Sequence, residues 1–266
     1  MIPGITVVSM FSTGENGDRL SQKSGRVALV SGGSRGIGAA TVRRLAADGW
    51  DIGFSYHGDG PSARAAEKAA FELGTRATGT DVDLTDAAEV TSWFQLTEEE
   101  FGPVQAVVSC AGLTRESPLA RLDEADWRMM IDTSLDGVFH LCRAAVFAMM
   151  ARRSGRIVAI SSVCAEYDHA PGGGPLARPG MAGFVKALAS QTRRFGISVN
   201  AVAPGLGTRD VAALLPERPR PDLAETIALR RFGNACDVAD LVAFLLSDDA
   251  SDITGRVLVV PSALAF

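Results

Sequence analysis

The stretch RVALVSGGSRGIGAATVRRLAADG, residues 26–49, holds three kinds of sequence in succession. RVALVS (26–31) is a continuous apolar run, the form of a strand buried on both faces. SGGSRGIG (31–38) spaces Gly32, Gly36 and Gly38 as G-x-x-x-G-x-G. IGAATVRRLAADG (37–49) then carries apolar residues at helical intervals. Glycines here let the main chain turn tightly and approach a pyrophosphate, and the first N–H groups of the helix face the anion. A glycine-rich turn without a ligand is the plainer alternative. The position of the loop, after a first strand and opening a first helix, favours a dinucleotide. Gly32, Ser34, Arg35, Gly36, Ile37 and Gly38 are its expected contacts.

Outward from this loop, strand and helix alternate. DIGFSY (51–56), RATGTDV (76–82), VQAVVS (104–109), RIVAIS (156–161), ISVNAVA (197–203) and RVLVVP (256–261) read as strands. Helical stretches separate them, including a long one over 123–155 with an expected kink near Gly137. Asp86 and Glu89 are spaced like a capping box. The pattern predicts an α/β fold, one doubly wound parallel sheet of about seven strands with helices on both faces. Residues 1–24 read as a flexible polar tail and 25–266 as one domain. Within it, the proline-rich 205–235 is expected to form a substrate lid.

Composition removes several classes of function. With 26 basic and 31 acidic residues the net charge is −5, which gives no reason to expect a nucleic acid partner or a polybasic anchor. No apolar run approaches a membrane span, and no secretory signal is expected at the start. The four cysteines are far apart, which suits free thiols in the cytoplasm, and no metal site is expected.

The dinucleotide is expected to be NADPH. An NAD site wants an acid at the end of the second strand for the ribose 2′-hydroxyl. Here that strand ends at Tyr56 and His57, and the first carboxylate is Asp59. Arg35 in the loop offers a guanidinium to a 2′-phosphate.

Taken together, SGGSRGIG, Asp83-Leu84 in DLTD, CAGLTRESPLARLDEADW, ISSV (160–163) and VNAVAPG (199–205) resemble the short-chain dehydrogenase/reductase family. The pattern is nearest to bacterial 3-oxoacyl-carrier-protein reductases and polyketide ketoreductases, over about residues 25–260. The resemblance implies a Rossmann-like domain that reduces carbonyls. It places Tyr56, His57, Asp83, Leu84, Ala111, Gly112, Arg178, Pro204, Gly205 and Thr208 beside the coenzyme. It also implies a homodimer or homotetramer paired through the two long helices, with a small-molecule ketone as substrate.

Three of the family's four catalytic positions are changed. The tyrosine position falls on Gly174, the lysine on Arg178 and the asparagine on Ser134, while Ser162 is kept. Arg178 cannot replace a lysine, because its planar guanidinium is never neutral. Tyr167 and His169 lie just past Ser162 and are speculative proton donors. The resulting expectation is an atypical NADPH-dependent ketoreductase acting on a polyketide-like or hydroxy-aryl ketone, in polyketide or antibiotic metabolism, with the substrate assisting proton transfer. The alternative is a catalytically silent subunit partnering an active homologue.

Overall fold

The computed structural model describes residues 25–112, 121–161, 177–204 and 233–260. Seven strands form one parallel sheet: β1 (Val27–Ser31), β2 (Asp51–Tyr56), β3 (Ala77–Asp81), β4 (Val104–Ser109), β5 (Gly155–Ile160), β6 (Ile197–Pro204) and β7 (Val257–Val260). Their spatial order is β3-β2-β1-β4-β5-β6-β7, so the chain winds one way from β1 to β3 and the other way from β4 onward. Every neighbouring pair is parallel, from Val27 opposite Asp51 to Pro204 opposite Val260. The direction of winding changes between β1 and β4, and a crevice outside their carboxyl ends is where such sheets bind ligands.

Double-sided burial explains the unbroken apolar runs. Ala28 and Val30 of β1 face one core layer, with Leu45 of α1 (Gly36–Ala47), Ala63 of α2 (Gly60–Glu72) and Val242 of α7 (Ala235–Leu246). Val27 and Leu29, alternating with them, face the other. That layer includes Trp93 of α3 (Ala87–Phe101), Leu141 of α5 (Gly137–Arg152) and Val185 of α6 (Ala177–Thr192). A strand sandwiched this way has no polar face to display.

Helix starts follow local hydrogen-bond chemistry. Asp59 caps α2, accepting from Ser62 N at 3.1 Å. Asp86 caps α3 through Ala88 N and Glu89 N. Glu89 does not close the expected box onto Asp86; it reaches back to accept from Asp83 N at 2.9 Å. A reciprocal box does form at α7, between Asn234 and Asp237.

The long helix is α4 (Glu124–Ile131), a π turn over Asp132–Asp136, and α5. The expected irregularity near Gly137 is therefore one widened turn just before it. Space is tight there: a Cβ on Gly137 would lie 3.1 Å from Leu84 Cβ. The whole 29-residue run from Glu124 to Arg152 has the length and hydropathy of a membrane-crossing helix. Its inner stripe of Val138, Leu141, Ala145 and Met149 packs in the core layer beside the sheet.

Candidate active site

The crevice floor is built from small hydroxyls at strand ends. Ser31, Ser55, Ser109 and Ser161 are all buried at or just beyond the carboxyl ends of β1, β2, β4 and β5. Ser31 Oγ accepts from Cys110 N at 3.1 Å and Ala111 N at 3.2 Å, fixing the turn after β4 onto β1. Ser55 Oγ accepts from Gly32 N at 3.2 Å, and Ser55 O from Gly33 N at 2.8 Å. These bonds hold the glycine loop against β2. Sequence reasoning missed Ser55 as an organiser of the glycine loop and Ser31 as the anchor of the turn after β4. The available signal was a lone hydroxyl at the end of each apolar run.

The loop is as tight as its glycines suggested. Gly32 and Gly36 take left-handed φ values of +65° and +54°. A Cβ on Gly38 would lie 2.0 Å from the carbonyl oxygen of Gly32, so the helix start and the strand end are in main-chain contact. Arg35 occupies the N-cap of α1 without a side-chain capping bond, and the first turn carries no acid. Among the described residues no N-cap side chain or first-turn acid takes up the helix's first main-chain N–H groups, as suits a pyrophosphate site. These residues fit the phosphates of a dinucleotide.

At the end of β2, Arg35 Nη1 lies 3.5 Å from Asp59 Oδ2. Hydrogen bonds from Ser62 hold the Asp59 carboxyl below the usual range, with the guanidinium of Arg35 adding to the effect. His57 is exposed and lies 3.6 Å from Asp81 through Nδ1. Tyr56, expected beside a coenzyme, is 6% exposed and packs in the core layer of α2. Burial, then the nearby Asp81 and Glu67 charges, raises its phenol pKa.

The Asp83–Leu84 turn is anchored from two helices. Glu89 holds Asp83 N, and His140 Nδ1 donates to Leu84 O at 3.0 Å. Burial opposes ionisation of Asp83, but bonds from Thr85 N and Oγ1 outweigh it and lower the pKa. Ser134, at the expected asparagine position, is buried in the π turn, and a Cβ on Gly112 would meet its Oγ at 3.4 Å. The π turn therefore brings Ser134 to the end of β4, beside Ala111 and Gly112. Burial pushes the Cys110 thiol up to about 12, which disfavours its thiolate. Pro204 ends β6, in register with Val260. Among the described residues, no group of three or more His, Cys, Asp or Glu side chains could hold a metal ion.

Ser162, Tyr167, His169, Gly174, Gly205 and Thr208 lie outside the described residues, as does most of the expected lid 205–235. Arg178 enters only as main chain, in the first turn of α6.

Comparison with known proteins agrees with this architecture. Residues 32–262 match the family model described as Enoyl-(Acyl carrier protein) reductase. The 3-oxoacyl-[acyl-carrier-protein] reductase FabG of Escherichia coli (strain K12) is 38% identical over 240 residues, covering 89% of this chain and 96% of that protein. FabG of Staphylococcus aureus (strain Mu50 / ATCC 700699) is 35% identical over 239 residues, covering 90% and 97%. Among solved structures, a point variant of actinorhodin polyketide ketoreductase with NADPH superposes with a TM-score of 0.82 at 28% identity, over 91% of this chain and 97% of that one. Levodione reductase superposes with a TM-score of 0.82 at 30% identity, over 90% and 96%. With the seven-stranded parallel sheet, the glycine loop at its crevice and these matches over nine-tenths of its length, the chain belongs to the short-chain dehydrogenase/reductase family.

Proposed function

We propose that this chain is an NADPH-dependent ketoreductase that reduces a ketone of a polyketide-like or hydroxy-aryl substrate, with the substrate supplying the proton. The observation that carries the reading is a joint one. The coenzyme cradle is intact, from the Gly32–Gly38 contact to the open start of α1. The tyrosine and lysine positions that the family pattern implies hold Gly174 and Arg178.

NADPH, when bound, supplies the hydride for the carbonyl carbon. The protein supplies orientation and a site for the coenzyme. Ser55 holds the glycine loop and Ser31 the turn after β4, Arg35 would meet a 2′-phosphate, and Asp83-Leu84 would wall the adenine. Orientation accounts for roughly 7–11 kcal/mol of a barrier. A positioned general acid accounts for about 10²–10⁴ in rate. Loss of the acid is thus tolerable where the ketone oxygen already carries an internal hydrogen bond from a neighbouring phenol or enol. In that case the carbonyl π pair would move to oxygen as the carbon gains hydride, that oxygen would take the proton of the adjacent hydroxyl, and solvent would reprotonate the phenolate or enolate left behind. Relatives named as acyl-carrier-protein reductases and a neighbour named as a polyketide ketoreductase support the substrate class.

Self-association belongs to the same reading. Phe147 is 83% exposed on α5, and Phe139 and Met129 are exposed on the same long helix. A second copy is the occupant that such a face suits.

The test is reduction of a hydroxy-aryl ketone by purified protein with NADPH, followed through coenzyme absorbance. Steady oxidation that disappears when the neighbouring hydroxyl is methylated is expected. Coenzyme binding without turnover of any such ketone, while an active relative turns them over, would establish the silent-subunit reading, which Gly174 favours.

A further inference from the structure

Two chemistries for reading the ribose 2′ position usually exclude one another: a carboxylate for a hydroxyl, or a guanidinium for a phosphate. This chain carries both at one place, paired to each other. Arg35 leaves the N-cap of α1 and meets Asp59 at 3.5 Å beyond the end of β2. Their freedom is unequal. Asp59 is pinned as the cap of α2, accepting from Ser62 N at 3.1 Å and from the Ser62 side chain. Arg35 is 72% exposed in its side chain and has this one ion pair among the described residues. The guanidinium can move to a new anion; the carboxylate stays.

We propose that Asp59 is a specificity-determining residue that weakens the preference for a 2′-phosphorylated coenzyme. It does so by competing for Arg35 and by repelling the phosphate dianion. The inference rests on the NADPH-site reading above. Among the described residues, Arg35 is the one cation in an ion pair with Asp59. His57 is paired with Asp81 at 3.6 Å, and Arg64 lies over the first residue of α2, with Nη1 3.3 Å from where a Gly60 Cβ would be. Hydrogen bonds from Ser62 keep Asp59 ionised near neutrality. Its charge is therefore present whenever the coenzyme binds.

Asp59→Asn tests the charge alone, because asparagine caps a helix about as well as aspartate. The full chain is titrated calorimetrically with 2′,5′-ADP and 5′-AMP, which differ only in the 2′-phosphate. The variant is expected to bind 2′,5′-ADP roughly threefold to tenfold more tightly at low salt, the gain shrinking as ionic strength rises. Its affinity for 5′-AMP should stay within about twofold. Arg35→Gln should lower discrimination between the two ligands, and adding Asp59→Asn to it should recover less than the single change gains. Asp59→Ser, another good cap, serves if the asparagine variant does not fold. Unchanged or weaker 2′,5′-ADP binding overturns the proposal. So does a selective loss of 5′-AMP affinity, which would make Asp59 the acceptor of a ribose hydroxyl. Wild-type protein that binds neither ligand nor NADPH defeats the coenzyme reading itself, a distinct outcome from failure of the variant alone.

Discussion

Replacing Gly38 by alanine probes the geometry of the cradle most directly. The added methyl carbon would sit 2.0 Å from the Gly32 carbonyl oxygen and 2.7 Å from its carbon. Both are main-chain atoms, so no side-chain rotation relieves the overlap, which is more than an ångström inside ordinary contact. Gly32 cannot retreat easily. Its N–H is bonded to Ser55 Oγ, and its own Cα approaches Ala111 closely enough that a Cβ there would be 3.0 Å away. The helix start and the strand end must therefore separate. Overpacking of this kind costs about 1–3 kcal/mol, or roughly 2–4 °C in Tm per kcal/mol for a chain of this size. Binding should suffer more than stability, because a misplacement of about 1 Å can cost on the order of 100-fold. The assay is a fluorescence titration with NADPH beside a thermal melt. Gly183→Ala is the control, since nothing lies within 4 Å of a Cβ there. A Gly38→Ala protein that binds NADPH within about threefold of wild type would refute the claim that this contact shapes the phosphate site.

Gly183→Ala itself removes a glycine from an exposed helical position and should stabilise the protein by about 0.5–1 kcal/mol, read from urea unfolding. Ser31→Ala removes the Oγ acceptor of Ala111 N–H and leaves Cys110 N–H only the Ser31 carbonyl at 3.3 Å, and should cost about 1–3 kcal/mol; a loss under about 0.5 would remove Ser31 from its assigned role. Glu67 is 8% exposed, and burial raises its pKa despite the bond from Gly79 N. The folded state thus holds its proton to higher pH than the unfolded state does, and stability falls as pH rises from the ordinary glutamate range through the folded value. Glu67→Gln should therefore be more stable than wild type near about pH 8 and lose that advantage near about pH 4, in paired urea melts. Phe147→Glu should leave the monomer fold unchanged by circular dichroism and lower the mass measured by light scattering; an unchanged mass would exclude α5 as the contact.

What could be read from the sequence is what burial periodicity and glycine encode. RVALVS, VQAVVS and RIVAIS announced strands sandwiched between helices, and Val27 and Ala28 indeed face opposite layers. The close approach at Gly38 was implied by the loop spacing, because only a missing side chain permits it. Partner choice was not legible. Glu89 could be seen as a box residue, but its acceptance from Asp83 N depends on where the β3–α3 turn lies in space. Tyr56 looked available at the end of β2, yet strand alternation turned its ring into the α2 layer. The Arg35–Asp59 pairing spans the end of two elements, so neither residue's own neighbours in the chain disclose it. The π turn over Asp132–Asp136 leaves the apolar pattern of the long helix nearly intact, and only Gly137 hinted at it.

The independent anchoring of β5 and α6 has an evolutionary consequence. β5 is gripped on both sides, from Ala106 opposite Arg156 to Ile160 opposite Val202. Helix α6 is seated separately, through Met181, Val185 and Ala189 in the core and through Gly180, where a Cβ would lie 3.2 Å from Leu135. Each element thus takes its registration from contacts of its own, whatever sequence joins them across 162–176. A lineage could rewrite those joining residues without crossing a folding threshold. Variation in the joining residues is thus separable from the registration of the two elements they connect.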